Sequence, residues 1–130
     1  MSTRGMRVLL VDDNVDSSEL LCELLQRAGH EVRVANDPEQ ALVQVPAFQP
    51  ELAIIDIGLP IMDGYELAHE IRAIAHCGLI ALSGYPVSTY AADARRTNFD
   101  RYLEKPLDRA ALMQAIAALE EASGAIVIDA

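Results

Sequence analysis

Leu52-Ala53-Ile54-Ile55-Asp56 is the stretch that decides the fold. Its near-continuous apolar run reads as a strand covered on both faces, and it stops at a carboxylate. Upstream, Asp37-Pro38-Glu39-Gln40 reads as a helix start. The Asp is the cap, Pro takes the first helical position and Gln reaches back from the third. Pro46 is expected to cut that helix short. Before it, Glu31-Val32-Arg33-Val34-Ala35 alternates like a strand with one wetter face. Still earlier, Leu20, Leu21, Leu24, Leu25 and Ala28 recur on one helical face. Asn14 or Asp16 would cap that helix and Gly29 would stop it. The first apolar run, Arg7-Val8-Leu9-Leu10-Val11, ends at Asp12-Asp13-Asn14.

Downstream, a loop from Ile57 to Met62 leads to Asp63-Gly64-Tyr65-Glu66, which starts a helix carrying Leu67, Ile71 and Ile74. That helix is expected to end near Ala75, with a tight return at Gly78. Leu79-Ile80-Ala81-Leu82 is a second buried-type strand, ending at Ser83-Gly84. A less apolar helix is expected over about Ser88 to Thr97. Arg101-Tyr102-Leu103-Glu104 is a brief strand before Lys105-Pro106, and a last helix capped near Asp108 carries Leu112, Ile116 and Leu119. The apolar tail from Ser123 to Ala130 stays unassigned, as linker stub or docking segment. Residues 1–122 are expected to form the domain and 123–130 the tail.

Five strands alternating with five helices predict an α/β fold: a five-stranded parallel sheet with helices on both faces. In such sheets ligands bind beyond the carboxyl ends of the strands. The distinctive polar residues fall there. Asp12 and Asp13 follow the first strand, Asp56 the third, Ser83 the fourth and Lys105 the fifth.

The chain has 130 residues, 52% of them hydrophobic and 23% charged, which is enough for one packed core. Its formal charge of -10 argues against direct nucleic-acid binding and against anionic lipid, both of which need a basic surface. The longest apolar runs are too short to span a bilayer, and the start has no leader pattern. Cys22 and Cys77 lack metal spacing and read as reduced, buried or half-buried thiols of a cytoplasmic protein. His30, His69 and His76 read as surface or helix-end residues.

Three carboxylates converging at one sheet end repel one another, so they raise pKa values or call for a cation. A hard divalent ion such as Mg²⁺ suits carboxylate oxygens, with Mn²⁺ as the alternative. Lys105 adds an ammonium and Ser83 a hydroxyl donor. That set suits phosphoryl transfer, with a carboxylate able to act as nucleophile. Asp56, alone at the end of a central-type strand, is the best candidate.

Val8-Leu9-Leu10-Val11-Asp12-Asp13-Asn14, Ile54-Ile55-Asp56-Ile57-Gly58-Leu59-Pro60-Ile61-Met62-Asp63-Gly64, Ala81-Leu82-Ser83-Gly84-Tyr85 and Tyr102-Leu103-Glu104-Lys105-Pro106 together resemble the response-regulator receiver domain of two-component signalling. Asp56 lies 44 residues after Asp12, Ser83 lies 27 after Asp56 and Lys105 lies 22 after Ser83, which fits. The resemblance covers about Arg7 to Glu121. It implies a flavodoxin-like strand order 2-1-3-4-5. It implies that Asp56 accepts a phosphoryl group from a histidine kinase or phosphotransfer protein. Asp13, Asp56 and the Gly58 carbonyl would bind the metal directly, Asp12 mainly through a water. Lys105 and Ser83 would contact phosphoryl oxygens. Tyr102 would be the aromatic switch, and Lys105-Pro106 a cis peptide. The face of the fourth helix, fifth strand and fifth helix would change its affinity for a downstream protein, or form a phosphorylation-dependent homodimer. Gly58 and Tyr85 hold positions that set dephosphorylation rate in the family.

Two other functions compete. An Asp-nucleophile phosphohydrolase would place an acid two residues after its nucleophile, where this chain has Gly58 after Asp56 and Asn14 after Asp12. A phosphate-independent interaction module would not need all five polar groups. The chain is expected to be a signalling switch rather than a turnover enzyme. It would be either a single-domain regulator or a receiver from a longer regulator or hybrid kinase.

Overall fold

The computed structural model describes residues 5–57, 64–83, 99–105 and 108–129, with only the backbone for 120–129. Five strands appear: β1 (Arg7–Val11), β2 (Glu31–Ala35), β3 (Leu52–Asp56), β4 (Gly78–Ser83) and β5 (Arg101–Glu104). All pair in parallel, in the order β2-β1-β3-β4-β5. The order reverses beside β1, so the carboxyl ends of β1 and β3 flank a crevice.

Four helices lie among the described residues: α1 (Val15–Arg27), α2 (Pro38–Phe48), α3 (Gly64–Ile74) and α4 (Arg109–Asp129). The helix expected over 88–97 falls outside the described residues.

The apolar runs are long because both faces of the sheet are covered. Leu9, Val11, Ala53, Ile55, Leu79 and Ala81 pack with residues of α2 and α3. Val8, Leu10, Leu52, Ile54, Ile80 and Leu82 pack with residues of α1 and α4. Alternate residues of each strand thus enter opposite cores. The edge strand β2 keeps its polar alternation, and the Arg33 guanidinium sits 4.6 Å from the centre of the Phe48 ring.

The helix signals act as read, with three differences. Asn14 is the cap of α1, its side chain accepting from the Ser17 N–H, and Gly29 comes after the helix with φ 101°. Asp37 caps α2, and the Gln40 N–H donates to it at 2.8 Å. Pro46 does not end α2, which runs on to Phe48. Proline sits on the exposed side of the last turn and removes one donor, while buried Phe48 anchors the end of the helix to the core. The Gln49 N–H still reaches the Val45 carbonyl at 2.9 Å, and Gln49 closes the helix with φ 53°. Residues 123–129, unassigned from sequence, continue α4. His30 is buried rather than at the surface, its Nδ1 accepting from the Met6 N–H at 3.1 Å. This bond ties the chain before β1 to the turn before β2. His69 and His76 are exposed, Cys22 is half-buried and Cys77 is buried. No described helix is long and apolar enough to cross a membrane.

Candidate functional site

The strand ends bring together residues that are far apart in the chain. Asp12, Asp13 and Asp56 offer carboxylate oxygens that all lie within 4.8 Å of one another. Asp12 is buried, with 2% of its surface exposed. Its Oδ1 accepts from the Asn14 N–H at 2.9 Å, and its own N–H donates to the Ala35 carbonyl. Asn36 adds a contact that the sequence did not flag: its Nδ2 donates to the Asp12 carbonyl at 2.9 Å. The turn carrying both aspartates is therefore held from β2 as well as β1.

Asp56 ends β3 within a continuing ladder, since the Ile57 N–H donates to the Leu82 carbonyl at 3.1 Å. The Gly64 N–H reaches back to the Ile57 carbonyl at 3.4 Å. A Cβ on Gly64 would lie 2.5 Å from the Ile57 Cα, so α3 starts in close contact with the residue after Asp56. Gly58, a candidate metal contact, lies outside the described residues, as do Tyr85 and Pro106.

Ser83 ends β4 and is buried. The Lys105 N–H donates to the Ser83 carbonyl at 2.7 Å, which places the two residues side by side. From there the Lys105 Nζ donates to Asp56 Oδ2 at 3.1 Å. Asp56 has 15% of its side chain exposed and Lys105 34%, so the pair stands at the mouth of the site rather than under it.

Burial holds the Asp12 carboxyl above its ordinary value. The Asn14 N–H and the Lys105 ammonium pull it back down, while Asp56 and Asp13 push it further up. Among the described residues, the Lys105 ammonium on Asp56 thus stands beside a cluster of three carboxylates. All three are hard oxygen donors in a partly open cleft, and that donor set fits a divalent ion such as Mg²⁺. Beside Asp12 and Lys105 opens a groove of about 350 Å³, lined by Ser17, Leu20, Leu21, Leu24 and Leu82.

Tyr102, the expected switch, is half-buried on β5 opposite Ala81. Its ring centre lies 5.5 Å from that of Phe99 and 6.5 Å from that of Tyr65. Neither partner stood out in the sequence. An aromatic residue on an apolar helix face, or just before a strand, looks like ordinary core.

This arrangement coincides with a family match. Residues 8–117 match the family model of the response regulator receiver domain. The chain belongs to that family. Such receiver domains are signalling switches of two-component systems, with a phosphoacceptor role. An uncharacterized 14.6 kDa protein of Leptolyngbya boryana is 33% identical over 114 residues, covering 85% of this chain and 87% of that one. The DNA-binding response regulator MtrA of Mycobacterium tuberculosis is 29% identical over 106 residues, 82% of this chain but 46% of MtrA. This receiver domain therefore spans under half of that regulator. Among solved structures, the response regulator TrrA of Thermotoga maritima, in complex with Mg²⁺ and BeF, is 34% identical with a TM-score of 0.80. The match covers 87% of this chain and 97% of TrrA.

Proposed function

We propose that Asp56 is the phosphoacceptor of this receiver domain, and that a histidine kinase or histidine phosphotransfer protein is the donor. The observation that carries this is the Lys105 ammonium 3.1 Å from Asp56, within a set of three mutually close carboxylates. An Asp56 carboxylate oxygen attacks the phosphorus of a phosphohistidine. A P–O bond forms, the P–N bond breaks, and its electron pair returns to the imidazole. Lys105 then pairs with a phosphoryl oxygen instead of with Asp56, and the Ser83 hydroxyl donates to another. Asp12, Asp13 and Asp56, with the Gly58 carbonyl, would hold Mg²⁺ or Mn²⁺. Bound there, the ion neutralises charge on the carboxylates and the phosphoryl group. The structure of TrrA bound to Mg²⁺ and BeF supports the same assignment here.

The groove lined by Leu20, Leu21 and Leu24 supports an apolar footing for the donor, because it opens beside Asp12 and Lys105. Phosphorylation draws Ser83 toward the new group and Tyr102 inward. That changes the affinity of the face built by β5, α4 and the helix expected over 88–97. The output is a downstream protein or a second copy of the chain, in the cytoplasm, with no direct nucleic-acid or membrane contact. The chain works either as a stand-alone regulator or as the receiver of a longer one.

Incubation with Mg²⁺ and acetyl phosphate tests this by intact mass. One added phosphate per chain is expected, absent without Mg²⁺ and absent in Asp56→Asn. Multiple turnover on small phosphomonoesters would instead establish a phosphohydrolase. If neither an adduct nor a response of the amide spectrum to beryllofluoride appears, a phosphate-independent binding module takes its place.

A further inference from the structure

Three aromatic rings from three parts of the chain meet beside β5. Tyr65 opens α3, Phe99 precedes β5 and Tyr102 lies within it. The Tyr65 and Phe99 rings are 5.8 Å apart with planes at 77°, and the Phe99 and Tyr102 rings are 5.5 Å apart at 62°. Both are edge-to-face pairs, the favoured geometry for such rings. The third side of the triangle, Tyr65 to Tyr102, is 6.5 Å. Tyr65 and Phe99 are buried, while Tyr102 is half-buried against the same core.

Both supporting rings are fixed from below. Asp100, next to Phe99, accepts from the Leu79 N–H at 2.8 Å and from Arg72 at 3.0 Å. The Asp100 N–H returns a bond to the Leu79 carbonyl at 2.7 Å. Arg72 also donates to the Cys77 carbonyl, so α3, β4 and the start of β5 are tied at one point. Tyr65 comes directly after Gly64, whose missing side chain lets α3 press on Ile57, the residue after Asp56. The cluster thus joins the switch residue to the strand end that carries the phosphoacceptor.

We infer that Tyr65 and Phe99 are positioning residues for Tyr102, holding its ring against the core and so biasing the domain toward its phosphoryl-bound state. The inference rests on the function proposed above. A ligand favours a conformation only by binding it better, and the coupling is reciprocal. Loosening the inward ring must therefore weaken binding of a phosphoryl mimic. An edge-to-face pair lost from one state only corresponds to a change of about two- to tenfold.

The full chain, with ring-labelled tyrosine and Mg²⁺, is titrated with beryllofluoride by NMR. Tyr102 is assigned with Tyr102→Phe. Phe99→Leu and Tyr65→Leu are each expected to weaken beryllofluoride two- to tenfold. Both should also move the Tyr102 ring signal in the free protein toward a rotamer average. Tyr65→Phe keeps the ring and is expected to restore wild-type affinity. In a Tyr102→Leu background, Phe99→Leu should cost nothing further, which a general packing defect would not produce. Should Phe99→Leu melt below the assay temperature, the Tyr65 pair carries the test. Unchanged or tighter binding in the leucine variants, or the same loss with and without Tyr102, overturns the inference alone. Failure of the wild type to bind beryllofluoride through Asp56, with Asp56→Asn as control, overturns the underlying reading and this one with it.

Discussion

Replacing Asp12 by Asn should stabilise the metal-free protein, although Asp12 belongs to the proposed site. Asp12 is buried, and its carboxylate oxygens lie within 4.8 Å of those of Asp13 and Asp56. Two unit charges 4.8 Å apart repel by about 3.5 kcal/mol at an effective dielectric near 20. The Asn14 N–H and the Lys105 ammonium offset these repulsions, so the burial of the carboxylate, the largest contribution, leaves a net gain of roughly 1–3 kcal/mol on neutralising the group. Asparagine keeps an oxygen to accept the Asn14 N–H, so the turn loses little. For a chain of this size the melting temperature should rise on the order of 3–10 °C in EDTA. Mg²⁺ should raise the wild-type melting temperature, because a ligand of the folded state stabilises it, and should raise that of the variant far less. Burial sets the sign of the pH dependence. The folded carboxyl sits above its ordinary value, so its penalty is full at neutral pH. As pH falls through the raised value, Asp12 takes up a proton and the gap between wild type and variant closes. Thermal melts with EDTA or Mg²⁺, at pH steps from 7.5 downward, check all three statements. An Asp12→Asn protein that melts lower than wild type in EDTA at neutral pH would refute the reasoning. Burial beside two other carboxylates would then not penalise the charged form of Asp12.

Three further outcomes are expected. Gly64→Ala would place a Cβ 2.5 Å from the Ile57 backbone. Denaturant unfolding should show a loss of about 1–3 kcal/mol, and phosphorylation of Asp56 should slow; a neutral change would mean α3 can step back freely. Cys77 is buried, which pushes its thiol up to about 11. Iodoacetamide at pH 8 should modify half-buried Cys22 first, with Cys77 reacting only on unfolding, as read by peptide mass. Asn36→Ala removes the bond to the Asp12 carbonyl and should lower stability by about 1 kcal/mol. The same change should weaken Mg²⁺-dependent stabilisation, whereas an unaltered Mg²⁺ response would make Asn36 a bystander.

Much of this was legible in the chain because its signals are local. The alternation of apolar runs with helical stripes marks every described strand, and Asp12, Asp13, Asp56, Ser83 and Lys105 each close one or lie within two residues of its end. A side chain just past a strand end can go nowhere but the sheet's rim. Signals that depend on a neighbour distant in sequence were read less well. His30 looks like a helix-end residue until the Met6 N–H is seen to need its ring nitrogen. Pro46 looks like a helix stop, yet the burial of Phe48 outweighs one lost hydrogen bond. Asn36 comes after a strand without any pattern to set it apart, and only the parallel pairing of β1 and β2 brings it to Asp12.

By itself the sequence determined the elements, their parallel pairing and the residues gathered at one rim, because period, caps and strand-end chemistry are properties of short segments. Only the tertiary structure decided which groups touch. It set Lys105 on Asp56 across 49 positions of chain, tied the Asp12 turn to Asn36, and closed Tyr65, Phe99 and Tyr102 into one cluster. Contacts of that kind depend on register and packing between elements that are distant in the chain. Ångström-scale distances there come from filling two cores at once, which no local pattern encodes.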